Sequence, residues 1–371
     1  MKSVFFILFL LLALPSFASA ISPEVQNFID KFETKKTKLQ GGAIAILHKD
    51  KVIYKETFGY QKGKTGPITS NTLFPLASIS KPVSAVALAL MVDKGKLDFN
   101  KKYKIPYLKN NVNLTHILSH TTGYPFPGNT QIEQGMSRQK LLAKLQAQTP
   151  NCKPGQCYLY SNTTFSLVEE ALNIEGSNFQ SAIKSLRTAL KTNGIQIVPV
   201  NPNIALAYPH VIDTTKKNHS LKTLPFPPYY PKATPSAAGV FASLDGMIEF
   251  YKLSFGYRPD LISQTTLNLL YTPIITNRDI EKWPINWPYD RSGIKSSYAR
   301  GWRILQTQQH PEKELIFHGG MIAGAQTFIG HIPDEEIGII ILVNQSSKVP
   351  LESGIQFWGN FLKKQKLAAH R

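Results

Sequence analysis

The chain has 371 residues, with 42 Lys and Arg against 24 Asp and Glu, a formal net charge of +18, and 42% hydrophobic residues. That is ample for a large core in two lobes, and no internal repeat or low-complexity tract appears. The basic residues are scattered, with no stripe interleaved with aromatics, which excludes nucleic acid as the partner.

At the start, Lys2 precedes an apolar run from Val4 to Leu14, then Pro15 and the small residues Ala18, Ser19 and Ala20. This is the pattern of a secretory signal over residues 1–20, cut after Ala20. The run is shorter than the ~20 residues a membrane span needs. The expected location is therefore periplasmic or secreted, with residues 21–371 as a single domain. For an exported protein, the excess of positive charge implies loose attraction to an anionic cell envelope, or simply a solvated lysine-rich surface.

"GGAIAILHKDKVIYKETFGY" holds two β-rich runs around Lys49 and Asp50, which predicts a hairpin. "LFPLASISKPVSAVALALMV" follows, and its second half is apolar on nearly all sides, as a buried helix is. A helix beginning at Ser78 puts Ser78 and Lys81 on one face, with Pro82 tolerated in the first turn. A helix N-terminus and an adjacent ammonium both favour negative charge on a serine oxygen.

"HILSH" spaces His116 and His120 as helical zinc motifs do. The glutamate of HExxH is missing, so no metal site is expected.

In "NCKPGQCYLYSN", the Cys152–Cys157 spacing fits neither a zinc nor a thioredoxin motif. An oxidising compartment predicts a local disulfide, worth only about 2 kcal/mol for so short a loop. Beside it, Tyr160 is a poor base alone, but a neighbouring cation stabilises its ionised form. Asn162 offers a donor and an acceptor for a substrate amide.

"TLPFPPYYPKATP" is too proline-rich for either regular element and reads as a long loop. Near the C-terminus, "GWRILQTQQ", "ELIFHGG", "AQTFIGHIP" and "EEIGIIILVN" are β-rich, and a final helix places Ile355, Trp358 and Leu362 on one face. In "HGG", Gly319 and Gly320 permit close ligand approach beside His318. Met321 offers a backbone N–H to an oxyanion together with that of Ser78.

The simplest architecture is an α/β (α+β) fold. An antiparallel sheet is built from both chain ends (about 21–75 and 295–371) and flanked by helices, with a mainly helical lobe (about 76–294) inserted. Small-molecule sites favour the cleft between such lobes.

Each short motif is common alone. In this order, with "LFPLASISKPVSAVALALMVDKGKLDFN", "LTHILSHTTGYP", "PGQCYLYSN", "SAAGVFASLDGMIEF" and "FIGHIPDEEIGIIILVN" around them, the chain resembles the serine β-lactamase and penicillin-binding-protein family. The specific branch is that of class C β-lactamases, D-alanyl-D-alanine carboxypeptidases and related esterases. The likeness runs from about Gly41 to Gln345 and is weakest across Ala171 to Ala233.

It implies that Ser78 is the acylated nucleophile, Lys81 its proton-relay partner and Tyr160 the base or relay. It also implies that Asn162, His318, Gly320 and Met321 contact substrate, that no cofactor is used, and that a monomer acts on a small molecule or peptidoglycan peptide. In that family the third motif usually opens with Lys and continues with a hydroxyl residue. Here His318, about a quarter protonated at pH 7 if its pKa is near 6.5, and Gly319 weaken carboxylate recognition. Arg300 or Arg303 is a candidate for the missing cation.

A D-peptidase-like or esterase-like hydrolase is thus expected first and a β-lactamase second. A silent wall-fragment binder is the rival from another class.

Overall fold

The computed structural model describes residues 21–197, 205–215, 220–226, 229–283, 285–287 and 290–362. The signal read at residues 1–20 lies outside them.

The chain ends join in the middle of one sheet. The hairpin β1 (Gly41–His48) and β2 (Lys51–Lys62) turns at Lys49, whose φ is 57°, and is extended by β3 (Thr65–Pro67). Far along the chain come β4 (Ile275–Asn277), β5 (Ile294–Tyr298), β6 (Arg303–Thr307), β7 (Leu315–Ile322), β8 (Ala325–Ile332) and β9 (Ile337–Val343). Among the described residues the order is β3-β2-β1-β9-β8-β7-β6-β5-β4, antiparallel throughout. Gly42 pairs with Val343 and His48 with Ile337, so the first and last strands seal the centre.

Why β9 sits there is plain from its residues. "IGIIILV" is apolar without alternation, which suits a strand covered on both faces. Ile339, Ile341 and Val343 pack with α1 (Pro23–Lys36) and α3 (Val349–Leu362), while Ile340 and Leu342 face the layer of α2 (Ser80–Asp93). Ser22 caps α1 by accepting from the Val25 N–H, with Pro23 in the first turn. Phe28 meets Phe357 edge-on at 5.2 Å, pinning α1 to α3. Ile355, Trp358 and Leu362 are buried together on α3.

Two local expectations are corrected. The helix carrying Lys81 begins at Ser80, not Ser78; Ala77, at φ 49°, turns the chain into a single 3-10 turn over Ala77–Ile79. Residues three apart eclipse in that geometry, so Ser78 and Lys81 still share a side. The proline-rich stretch is also not wholly loop. Thr223 ends a strand from Leu221, and short helices run over Tyr229–Ala233 and Pro235–Ala238. Pro231 and Pro235 fall in first turns, where no intrahelical N–H bond is lost.

Candidate active site

Pairing of β6 with β7 stops at Phe317, whereas β8 pairs with β7 through Ile322. The edge of β7 from His318 onward therefore fronts a cleft of about 780 Å3. The turn bearing Ser78 lies against it. Thr327 on β8 donates its hydroxyl to the Leu76 carbonyl at 2.9 Å. A Cβ on Gly320 would come within 2.2 Å of that same carbonyl oxygen. Glycine is required here because strand and turn touch through their backbones.

From the other side, Leu76 N–H bonds the Val240 carbonyl and Val240 N–H bonds Ser80 Oγ, both at 2.9 Å. The turn bearing Ser78 is thus held between β7 and the segment after Pro235–Ala238.

Lys81 is fully buried. Its Nζ donates to Asn162 Oδ1 at 2.6 Å and to the Ala237 carbonyl at 3.0 Å, and it lies 3.3 Å from Ser78 Oγ. The first two partners can only accept, so they consume two N–H bonds. The third faces Ser78 Oγ and the Tyr160 hydroxyl, two groups that can donate as well as accept. Asn162 is oriented in turn by donating its Nδ2 to Asn129 Oδ1 at 2.8 Å. Burial lowers the Lys81 pKa, and Arg303 lowers it further against the opposing pull of Tyr160.

Tyr160 brings its ring to 4.7 Å from Lys81 Nζ. Burial alone would raise the phenol's pKa, but the charges of Lys81 and Arg303, with hydrogen bonds from Lys81 and Ser78, hold it below the ordinary tyrosine value.

His120 sets the position of this arm. In a left-handed conformation (φ 59°), its carbonyl accepts from Leu159 N–H at 2.9 Å and its Nδ1 from Ser161 N–H at 3.2 Å. Its ring lies 4.2 Å from that of Tyr160. His120 is thus part of the scaffold rather than half of a metal pair with His116, whose Nδ1 instead accepts from Asn113 N–H. The Cys152–Cys157 disulfide closes the adjoining loop, and Gly155 N–H ties that loop to the Thr121 carbonyl at 2.8 Å.

His318 differs from the expected partly charged ring. It is 1% exposed, its Nδ1 lies 2.8 Å from the Gly319 carbonyl and its Nε2 2.9 Å from Tyr298 Oη. A carbonyl only accepts, so Nδ1 carries the proton and Nε2 receives the tyrosine hydroxyl. Burial, with Arg303 and Lys81 nearby, pushes its pKa well below the usual histidine value. The imidazole is therefore neutral at pH 7, with both nitrogens engaged.

Of the two arginines left open, Arg303 lines the cleft; Arg300 turns away to Thr115 Oγ1 and the Leu269 carbonyl. Met321 is 73% exposed at the rim. The hairpin closes on the pair Ile322–Ala325, so alternation of ladder bonds turns the Met321 backbone away from β8, toward the cleft. Trp283, Ile285, Phe317, Ile322 and Leu351 give that side an apolar wall.

The Lys81-binding carbonyl of Ala237 and the positions of Trp283 and Arg303 had no local signal. Ala237 and Arg303 lie in stretches quoted above, and Arg303 was one of two candidate cations, but neither the carbonyl contact nor the choice of arginine is marked by a local pattern.

Comparisons with known proteins bear on the family and the fold. Penicillin-binding protein 4* of Bacillus subtilis is 23% identical over 346 residues, covering 87% of this chain and 72% of that protein. A β-lactamase of Escherichia coli is 24% identical, covering 85% and 87%. Among solved structures, the octameric penicillin-binding protein homologue from Pyrococcus abyssi superposes with a TM-score of 0.73 at 20% identity over 93% of this chain and 77% of that one. A tyrosine mutant of a class C β-lactamase gives 0.69 at 18% identity over 92% and 96%. With the Beta-lactamase family profile matching residues 25–356, nearly the whole folded chain, this protein belongs to the β-lactamase family.

Proposed function

We propose that this chain is an exported serine hydrolase working through an acyl-enzyme on Ser78, of the penicillin-binding D-alanyl-D-alanine carboxypeptidase-like or esterase-like kind. The observation that carries the reading is the environment of Lys81, whose two obligate acceptors leave its remaining N–H to the side where Ser78 and Tyr160 lie.

In acylation the Ser78 proton passes to the Tyr160–Lys81 pair as Oγ bonds to the substrate carbonyl carbon. The oxyanion is received by the backbone N–H groups of Ser78 and Met321. The pair returns the proton to the departing amine or alcohol, and water then releases the acyl group by the same route in reverse. Asn162 lines the cleft and is read as the contact for a substrate amide, through the Nδ2 hydrogen not given to Asn129. A neutral His318 and the missing hydroxyl at Gly319 weigh against the fixed carboxylate grip that efficient β-lactam hydrolysis requires.

The test is incubation with a fluorescent penicillin and with a short-chain nitrophenyl ester, followed by mass spectrometry of the Ser78 peptide. Stable labelling marks a peptidase, and ester turnover alone marks an esterase. Rapid β-lactam turnover would transfer the assignment to a β-lactamase. Neither label nor turnover would leave a binding protein.

A further inference from the structure

A proton shuttle has a built-in conflict. Lys81 is asked to carry a proton, yet its charge also stabilises the Tyr160 anion. Whenever Lys81 is neutral, that support disappears unless another cation remains. One does. Arg303 projects from β6 with its guanidinium carbon 5.1 Å from the Tyr160 ring centre, 5.3 Å from that of Tyr298 and 5.2 Å from that of Trp283. At 8% exposure it is shielded from solvent screening. A guanidinium does not deprotonate in proteins, and its plane stacks on aromatic faces, which restricts its orientation.

We infer that Arg303 is a positioning residue for acylation: laid over the Tyr160 ring, it supplies the permanent positive charge that keeps the phenol ready to accept the Ser78 proton. The contact stands independently of the serine-hydrolase reading; its catalytic consequence rests on that reading.

The other groups facing Tyr160 do not offer the same support. Among the described residues these are, besides Lys81 and Ser78, His120 after the helix Leu114–Leu118, with its ring at 4.2 Å, His318 of β7 at 6.5 Å and Tyr298 of β5 at 6.3 Å. Burial holds both histidines neutral. Across the cleft, Tyr230 donates its hydroxyl to Glu133 at 2.8 Å, so the nearby carboxylate is already engaged.

The experiment compares the intact protein with R303M, R303Q and R303K. Ionisation of Tyr160 is read without substrate, as the near-ultraviolet difference between each protein and its Y160F counterpart over a pH titration. In R303M and R303Q the Tyr160 midpoint should rise by about one pH unit, the low end of the effect of one close opposite charge. In R303K it should rise by less than half as much. The acid limb of nitrophenyl-ester acylation should move the same way, with the rate recovering at high pH.

An unmoved Tyr160 midpoint overturns the inference. So does an unmoved acid limb combined with a higher KM for carboxylate-bearing substrates alone, which would make Arg303 a substrate anchor. If R303M does not fold, R303K against R303Q separates charge from shape by the same readings. If the unaltered protein neither labels nor turns over, the hydrolase reading fails, while the tyrosine titration still decides the role of Arg303.

Discussion

Lys81 shows how little freedom a buried ammonium needs in order to act. Asn162 Oδ1 and the Ala237 carbonyl bind it as obligate acceptors, and desolvation lowers its pKa, so releasing a proton costs less than it would in water. Lys81→Met keeps the length and removes both charge and proton. Ester acylation is expected to fall about 10²–10⁴-fold, the range for losing a positioned acid–base group. A stopped-flow burst of nitrophenol measures it, and a loss under tenfold would mean that Tyr160 serves without Lys81. His318 should contribute no limb to the acylation profile between pH 5 and 8, because both its nitrogens are engaged and its ring is neutral.

The strand that borders the cleft offers a contrast between two adjacent glycines. A Cβ at Gly320 would lie 2.2 Å from both the Leu76 carbonyl oxygen and Thr327 Oγ1, so the turn holding Ser78 must move. At Gly319 the nearest atom is Leu351 Cδ1 at 3.6 Å, an ordinary contact. Gly320→Ala should destabilise by roughly 1–3 kcal/mol and remove most acylation, whereas Gly319→Ser should keep its melting temperature within about two degrees. The serine would also restore the hydroxyl usual in this family, so β-lactam labelling relative to ester turnover should rise. Thermal melts with both substrates check the pair. A stable, active Gly320→Ala would show that the turn does not depend on backbone contact with the strand.

For the molecule as a whole, buried histidines set the response to acid. His120, His318 and His331 are all held below the usual histidine value by burial, His331 at about 3. Their unfolded counterparts titrate near 6.5. Above that pH neither state binds these protons. Below it the unfolded chain takes them up and the folded one refuses, so each ring lowers stability as the pH falls. The slope approaches about 1.4 kcal/mol per pH unit once the unfolded ring is fully protonated. Glu169 acts in the opposite direction: pushed up to about 7 by burial, it accepts a proton in the folded state before it would unfolded. The balance is still a loss. The melting temperature should fall between pH 6.5 and 5, and His331→Gln should reduce the slope by about one ring's share. A flat or rising profile over that interval would mean that these rings are charged in the fold.

Pattern along the chain was enough for the architecture. The all-apolar faces of α2 and β9 leave no surface for water, so they must be interior. The two β-rich runs around Lys49 and Asp50 and the four near the C-terminus likewise mark the strands of the antiparallel sheet. The residue types of the site were legible too, because S-x-x-K spacing is local and "YSN" and "HGG" are contiguous. Proximity across the chain was not. Whether Arg300 or Arg303 reaches the cleft depends on which way one strand residue points after β5 and β6 pair. The charge of His318 depends on burial, on Tyr298 and on the charges of Arg303 and Lys81, and the second acceptor of Lys81 is a carbonyl 156 residues distant. Hydrogen bonds and electric fields act through space. The chain states which groups exist, and packing settles which of them meet and in what protonation state.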